Sequence, residues 1–452
     1  MSNKKLRINL CMSYKILSLD GGGSWALVQA KVLLDLYGDI RGHALLRKFD
    51  LAIGNSGGSL VLACLCNDML LSEICNVFED ENSRKQVFSK LSFLDKIIFK
   101  QDRFGLFRGL LGIGPKYSTQ NKLIGLTKVL SEKDHLFAQR QKYIVDTPLN
   151  ELPALIGKES LQLLIIGFDY YRQRVSFFRS NMQSRTDLFS NKYYGMPLGH
   201  AIHASSNAPV NYFDAPATVS PFIFQKKPDF KDPVYRNTSW FWDGAVSGFN
   251  NPVLAGLVEA ITNGASAQDC CILSIGTGMG NKVILTDVAT STDPLDKIKC
   301  EANKNNELVI TGTSFIFKND IRKMATSILD DPPDSATFIA YSVLDPTLSN
   351  SANFVRINPC YSPVFNKETN VYEVPAVYKT NGNGLDKIKK LIALDMDAVE
   401  AAEVNMIVEL CDKFITTSEP CLPNQLIRGD ISGKYLGCAT YKEAKEKWLK
   451  CM

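Results

Sequence analysis

The sequence predicts an α/β protein in which helices cover a mainly parallel sheet. Near its start, a short apolar run, a glycine turn and an apolar stretch of helical spacing follow one another, and this unit occurs twice. A third apolar run, at residues 270–278, again ends in a glycine loop. Strands that alternate with helices in this way form parallel sheets wrapped by helices.

The first unit begins with residues 14–19, which read as a short buried strand. Asp20-Gly21-Gly22-Gly23 follows at once, and residues 25–37 carry apolar side chains at helical spacing. Three consecutive glycines before a helix leave backbone N–H groups free to point at an anion. The loop lacks the Lys-Ser/Thr ending of a phosphate-binding P-loop and the spacing of a dinucleotide site. We therefore predict an oxyanion hole at Gly21, Gly22 and Gly23, with a tight turn as the alternative.

The second unit carries a candidate nucleophile. Residues 49–53 read as a strand, residues 59–71 as a strongly apolar helix, and Gly54-Asn55-Ser56-Gly57-Gly58 lies between them. This matches the G-x-S-x-G pattern of a nucleophile elbow, in which small neighbours allow the serine to sit on a sharp turn. An ordinary glycine turn is the alternative. We predict that Ser56 is the nucleophile.

A serine nucleophile needs a base, and the sequence offers a carboxylate or a histidine. Asp243 follows an aromatic run and precedes Gly244 and Ala245, so that its carboxylate can approach another loop closely. A Ser–Asp dyad works if the aspartate accepts the serine proton directly. The four histidines are weaker candidates, because they lie in polar contexts or beside an apolar segment; they are His43, His135, His200 and His203.

The rest of the chain provides further elements and one contrasting segment. Residues 80–125 interleave basic and aromatic side chains between Lys90 and Arg108, which predicts a cap or lid inserted into the α/β frame. The segment Lys90 to Arg108 is also predicted to dock on a membrane surface, with an amphipathic helix packed on the domain as the alternative. Residues 281–350 look polar and irregular. Strands are predicted at residues 161–168 and 174–178, and helical periodicity at residues 198–205 and 385–416.

Composition excludes several classes of protein. A net charge of +4, from 51 basic and 47 acidic residues, is too even for a nucleic-acid-binding face. The sequence has no apolar run long enough for a transmembrane helix and no signal-peptide cleavage pattern, so we expect a cytoplasmic protein. The 12 cysteines lack zinc or redox spacing and read as small buried side chains. With four histidines, a His-rich metal site is not expected.

Taken together and in order, the motifs resemble those of the patatin-like phospholipase family. The resemblance rests on Asp20-Gly21-Gly22-Gly23, on the Ser56 elbow and on Asp243-Gly244-Ala245. It is supported by residues 201–209, 250–252 and 273–278. It covers residues 14–280 and extends more weakly to about residue 415, where residues 354–358 are similar to a late strand of the family.

The resemblance implies a three-layer α/β/α patatin-like fold and a Ser–Asp dyad of Ser56 and Asp243, with Gly21 to Gly23 as the oxyanion hole. It also implies ester-linked acyl lipids as substrates, peripheral contact with a membrane, and neither metal nor organic cofactor. On this basis the family domain spans residues 14–415 and residues 416–452 form a tail. The glycine loop departs from the family, because Ser24-Trp25-Ala26 replaces a basic residue and a further glycine.

Two other functions stay open at the level of sequence. An acyltransferase would use the same acyl-enzyme but pass the acyl group to an alcohol instead of water. A catalytically inactive lipid-binding scaffold would keep the fold without turnover. A nucleotide-binding protein is a more distant alternative, since the glycine loop has no phosphate lysine.

Overall fold

The computed structural model describes ten main ranges, together with residues 134, 137, 364–366, 371–373, 375 and 378. The ranges are 13–91, 115–132, 141–181, 195–209, 212–219, 239–279, 332–361, 384–416, 422–428 and 433–452. Most of the predicted cap, residues 92–114, lies outside the described residues, and so do His135 and residues 281–331. The predicted cap therefore stays a prediction.

A central sheet organises the fold. Its strands are β1 Tyr14–Leu19, β2 Leu51–Gly54, β3 Gln162–Asp169, β4 Arg174–Arg179, β5 Ala217–Val219, β6 Ser239–Asp243, β7 Cys270–Ile275 and β8 Phe354–Ile357. Two further strands, β9 Val364–Asn366 and β10 Val371–Glu373, form a separate two-stranded ribbon. Neighbours in the order β5-β6-β3-β2-β1-β7-β8 are hydrogen-bonded to each other, and β4 also pairs with β3. Strands β3, β2, β1, β7 and β8 are parallel, whereas β4, β5 and β6 pair antiparallel.

Helices connect these strands. The α-helices are α1 Leu27–Tyr37, α2 Gly42–Leu46, α3 Ser56–Cys66, α4 Leu71–Glu79, α5 Glu81–Val87, α6 Thr119–Glu132, α7 Leu152–Ile156, α8 Leu198–Ser205, α9 Val253–Thr262, α10 Gly384–Ala393, α11 Ala401–Thr416 and α12 Tyr441–Cys451. Residues 332–344 are also helical. Short 3-10 helices occupy Gly23–Ala26, Ile144–Asp146, Leu149–Glu151, Gly244–Ser247 and Ala267–Asp269.

Both faces of the parallel strands are buried, which produces three layers. On β1, Leu17 and Leu19 join a core with α1, α3, α4 and α8, while Ile16 points to the other side. There it meets Val253 and Leu257 of α9 and Tyr341 of the helical residues 332–344. Near-continuous apolar runs are typical of parallel strands covered on both faces. The predicted α/β class, with a mainly parallel sheet between helices, is confirmed.

One feature of the sheet brings two distant parts of the chain together. Strand β2 pairs with the first half of β3 and ends at Gly54, opposite Ile165. Strand β6 pairs with the last part of β3, where Asp243 lies opposite Gly167. Since β4 occupies the other edge of β3, β2 and β6 share one edge and meet end to end. Asp243 therefore lies directly beyond the end of β2, where the chain turns into α3.

Three sequence predictions differ from the structure. The helix predicted at residues 59–71 starts earlier, at Ser56, and ends at Cys66, because Asp68 adopts a left-handed backbone with φ +55°. The single helical stretch predicted at residues 385–416 is two helices, α10 and α11. Residues 332–344, predicted as irregular, are helical and contribute the fully buried Tyr341.

The end of the chain packs onto the sheet domain. Trp448 of α12 is fully buried and stacks on Phe49, with ring centroids 6.0 Å apart. The predicted boundary at residue 415 stays a prediction. The nine cysteines within the described residues are free thiols, six of them buried. In the described part of the chain, no helix combines the length and the apolar character needed to cross a membrane.

Candidate active site

Ser56 occupies a strained turn between β2 and α3. Its backbone has φ +48°, a left-handed conformation that residues other than glycine rarely adopt. The turn is also tightly packed, because a Cβ on Gly57 would lie 2.6 Å from the Gly23 carbonyl oxygen and one on Gly58 only 2.4 Å from that of Leu19. Such strain, held by the surrounding structure, is typical of nucleophile elbows.

Asp243 lies beside this turn. Its carboxylate accepts hydrogen bonds from the Asn55 Nδ2 amide at 3.1 Å and from the Ala245 backbone N–H at 2.9 Å. The Ser56 side chain lies close enough to lower the pKa of this carboxyl. Burial, with 3% of the residue exposed, raises the pKa of Asp243. The two backbone and amide hydrogen bonds, the Ser56 side chain and the charge of Lys122 act in the opposite direction, because they favour the carboxylate anion.

The histidines that the structure describes have other surroundings. His43 lies on α2, with Nε2 2.8 Å from the Cys66 carbonyl oxygen at the end of α3 opposite Ser56. His200 and His203 lie on α8 and are both buried. Burial holds the pKa of His203 well below its usual value, so that the imidazole stays neutral.

The glycine loop after β1 packs against the elbow. Gly23 requires a left-handed backbone, φ +57°, and a Cβ there would lie 2.3 Å from the Met396 carbonyl oxygen. The Gly21 N–H donates to the Asn250 carbonyl oxygen at 2.8 Å, so that it is already used by the fold. Gly22 and Gly23 stand at the start of a 3-10 helix, where N–H groups lack intrahelical acceptors.

A buried ion pair anchors this loop. Arg356 on β8 donates to Asp20 through Nη1 at 2.9 Å and through Nη2 at 2.5 Å, and both side chains are at most 4% exposed. Burial raises the pKa of Asp20, and the Arg356 guanidinium partly offsets that rise. Arg356 cannot be recognised as a site residue from the sequence, because its partner is 336 positions away. The motif aspartate thus positions the glycines rather than facing Ser56.

Replacing Arg356 with methionine is expected to destabilise the fold by about 3–5 kcal/mol, because it leaves the Asp20 carboxylate buried without its partner. Denaturant unfolding measures the loss. The double variant Asp20→Asn/Arg356→Met should be less destabilised than Arg356→Met. Arg179→Met, which breaks a more exposed pair with Glu259, is the matched control and should cost less. Equal losses in Arg356→Met and Arg179→Met would contradict this account.

An apolar cleft opens at Ser56. It encloses about 710 Å³, counted to its open mouth. Besides Ser56 and Lys122, its lining is mostly hydrophobic, with Leu60, Val77, Phe78, Val87, Phe88, Leu126, Phe213 and Met396. Asp397, which also lines the cleft, pairs with Lys116, whose Nζ lies 3.1 Å from it and 3.0 Å from Asp395. Residues far apart in the sequence therefore shape one cleft.

The described residues hold no group of three or more His, Cys, Asp or Glu side chains that could bind a metal ion. The arrangement instead joins a serine on a strand-to-helix turn, a buried carboxylate and a nearby helix N-terminus. An α/β sheet with a serine on such a turn is the architecture of serine-dependent esterases and lipases.

Comparison with known proteins agrees with this class. The patatin-like phospholipase family model matches residues 17–257, which is more than half of the chain. The chain belongs to the patatin-like phospholipase family. The family is one of lipid ester hydrolases, which supports a lipid hydrolase activity in general terms. A search of curated proteins found no match.

Two solved structures share limited similarity. VipD from Legionella pneumophila is 11% identical with a TM-score of 0.33, over 89% of this chain and 67% of VipD. The second is the complex of full-length SpcU with full-length ExoU from the type III secretion system of Pseudomonas aeruginosa. It gives 15% identity and a TM-score of 0.25, over 43% of this chain and 38% of that one. In that second alignment the chain thus spans well under half of its relative.

Proposed function

We propose that this protein is a lipid acyl hydrolase of the phospholipase A or lysophospholipase type that uses a Ser56–Asp243 dyad. The observation that carries the proposal is the position of Ser56, on its strained turn beside the buried Asp243 carboxylate, at an apolar cleft. The cleft suits an acyl chain, because its walls are almost entirely hydrophobic. Carboxylic esters of membrane lipids are the corresponding substrate class.

The chemistry proceeds in two halves. Asp243 accepts the Ser56 proton while Oγ attacks the ester carbonyl, and the oxyanion that forms is stabilised by the free N–H groups of Gly22 and Gly23. Collapse breaks the ester bond, and the leaving alcohol takes the proton from Asp243. Water then attacks the acyl-enzyme with Asp243 again as base, which releases the fatty acid and restores Ser56. Gly54, Gly57 and Gly58 allow the turn, and no step requires a cofactor.

Product analysis tests this proposal and separates it from the alternatives. Phospholipid vesicles are incubated with the wild type and with Ser56→Ala, with and without an added primary alcohol, and the lipids are identified by mass spectrometry. We expect free fatty acid and lysophospholipid from the wild type alone. A fatty ester of the added alcohol as the main product would identify an acyltransferase. If no product depends on Ser56, the catalytically inactive lipid-binding scaffold is the remaining alternative.

We also propose peripheral docking on a lipid surface through the β3–β4 hairpin. The predicted docking segment, Lys90 to Arg108, lies outside the described residues except for Lys90 and Leu91. At the hairpin, Tyr170 and Tyr171 are 47% and 61% exposed, and Tyr171 stacks on Trp240 with centroids 5.2 Å apart. Tyrosine and tryptophan favour the membrane interface, and the exposed Arg174 adds positive charge.

The position of the hairpin supports this orientation. Strand β3 continues four residues past Ile165, where β2 ends, which corresponds to roughly 13 Å. The β3–β4 turn therefore projects beyond the ends of the strands on the side of the sheet where Ser56 follows β2. The Asp169 carboxylate accepts the backbone N–H groups of Tyr171 at 3.0 Å and Arg172 at 3.1 Å, which holds the turn in one conformation.

The variant Tyr170→Ser/Tyr171→Ser/Arg174→Gln is expected to bind anionic vesicles at least about fivefold more weakly, since each arginine near such a surface contributes roughly 1 kcal/mol. Vesicle sedimentation at low salt measures the binding. Hydrolysis of a short soluble ester should be unchanged. Tyr435→Ser is the matched control, because Tyr435 is 62% exposed. It follows Lys434, which donates to the Leu348 carbonyl oxygen ahead of β8, at the opposite ends of the strands from Ser56. Undiminished binding by the triple variant would place the docking surface elsewhere.

A further inference from the structure

Lys122 is a buried lysine at the wall of the cleft that the proposed chemistry does not use. It lies in the first turn of α6, is fully inaccessible to solvent, and lines the same cleft as Ser56. Burial of an ammonium group is costly unless hydrogen bonds and opposite charge compensate for it. The surroundings of Lys122 provide both.

The ammonium group closes the C-terminal end of α8. Its Nζ donates to the His203 carbonyl oxygen at 2.9 Å and to Ser206 Oγ at 3.3 Å, and it lies 4.5 Å from the centre of the Phe213 ring. The last carbonyls of a helix lack intrahelical donors, and a cation at that end also interacts favourably with the helix dipole. Lys122 thus fixes the final turn of α8.

The same turn of α8 holds both members of the proposed dyad. Ser205 Oγ accepts the Ser56 backbone N–H at 3.0 Å and donates to Asn55 Oδ1 at 3.3 Å. Two residues further on, the Asn207 carbonyl oxygen accepts the Asp243 backbone N–H at 3.0 Å. A shift of this turn would therefore move the nucleophile and the carboxylate relative to each other.

Lys122 and Asp243 also interact through their charges. Burial lowers the pKa of Lys122 well below its usual value, and Asp243 opposes that change. Lys122 in turn lowers the pKa of Asp243. His203 on α8 also interacts with Lys122, and burial, together with the charges of Lys122 and His200, holds the pKa of His203 well below its usual value. The charge on Lys122 therefore bears directly on the ionisation of Asp243.

We propose that Lys122 is a positioning residue for the Ser56–Asp243 dyad, which it aligns through the end of α8 and whose carboxylate anion it stabilises. The inference rests on the proposed function, because it assigns Lys122 a part in the same reaction. It also accounts for a buried ammonium at the wall of a mostly apolar cleft.

Two substitutions separate the charge of Lys122 from its hydrogen bonds. Lys122→Met removes both, while Lys122→Gln keeps one donor for the end of α8 and removes only the charge. The pH profile of kcat/KM on a short soluble ester is the readout, because its acidic limb follows the ionisation of Asp243. Loss of the charge raises the pKa of Asp243, so that the limb should move to higher pH by about one unit in both variants. The kcat of Lys122→Met should also fall by about tenfold or more, and that of Lys122→Gln by less.

Lys158→Met provides the matched control. Lys158 Nζ likewise donates to a carbonyl oxygen, that of Phe49 at 2.6 Å, and to the Asp50 carboxylate at 2.8 Å. These residues precede β2, so that they lie at the opposite end of that strand from Ser56. The acidic limb of the kcat/KM profile of Lys158→Met should coincide with that of the wild type. A folded Lys122→Gln with an unmoved limb would overturn the inference, even if Lys122→Met does not fold. If the wild type hydrolyses no ester, the rate of fluorophosphonate labelling at Ser56 gives the same profile, which separates failure of this inference from failure of the proposed function.

Discussion

Ser56→Ala is expected to lower ester hydrolysis by about three orders of magnitude or more, because it removes the proposed nucleophile. The substitution removes one oxygen and leaves the helix start intact. Turnover of a chromogenic ester and release of fatty acid from vesicles should both be lost. The thermal unfolding midpoint should stay close to that of the wild type.

Ser59→Ala is a suitable control for this loss. Ser59 lies one turn further along α3 and donates to the Ser56 carbonyl oxygen at 2.6 Å, away from the Asp243 carboxylate. It should retain most of the activity. Substantial hydrolysis by purified Ser56→Ala, at a rate that is not due to contaminating esterase, would refute Ser56 as nucleophile.

Asp243→Asn is expected to lower kcat by about 10²- to 10⁴-fold, because an amide cannot accept the Ser56 proton. The residual activity should also lose its acidic limb. In the wild type that limb should lie above the ordinary pKa of an aspartate, since burial raises the pKa of Asp243 and only the ionised form acts as base. Circular dichroism should establish that the variant is folded.

Histidine variants provide the comparison for Asp243→Asn. His203→Gln and His200→Gln should keep substantial activity wherever they fold, because the proposed base is the carboxylate. A folded histidine variant as inactive as Asp243→Asn would argue for a histidine in proton transfer. Asp243→Asn with wild-type activity would exclude the dyad.

The parts of the fold that local pattern determines were predicted well. Strand β1 has the predicted bounds, Tyr14–Leu19, and α8 was predicted at the residues where it lies, Leu198–Ser205. Both are short apolar segments with a strong period and clear turn residues beside them. The division of the predicted helix after Cys66 could not be read from periodicity, because it depends on the single left-handed residue Asp68.

The site residues that stand in a sequence motif could be predicted, whereas those that reach the site only through long-range contacts could not. Ser56 and Asp243 stand in recognisable sequence contexts, and the structure brings them together through the end-to-end meeting of β2 and β6. Arg356, Lys122 and Met396 could not be found in this way. Each is an ordinary residue in its own segment and acquires its place through contacts with distant parts of the chain.

The account rests on Ser56 as a nucleophile that Asp243 activates, and site-resolved covalent labelling tests this claim most directly. A fluorophosphonate probe is reacted with the wild type, Ser56→Ala and Asp243→Asn, and the modified peptide is identified by mass spectrometry. We predict a single adduct on Ser56 in the wild type, none at this position in Ser56→Ala, and labelling at least about a hundredfold slower in Asp243→Asn. An adduct on another residue, or equal rates in the wild type and Asp243→Asn, would contradict the account.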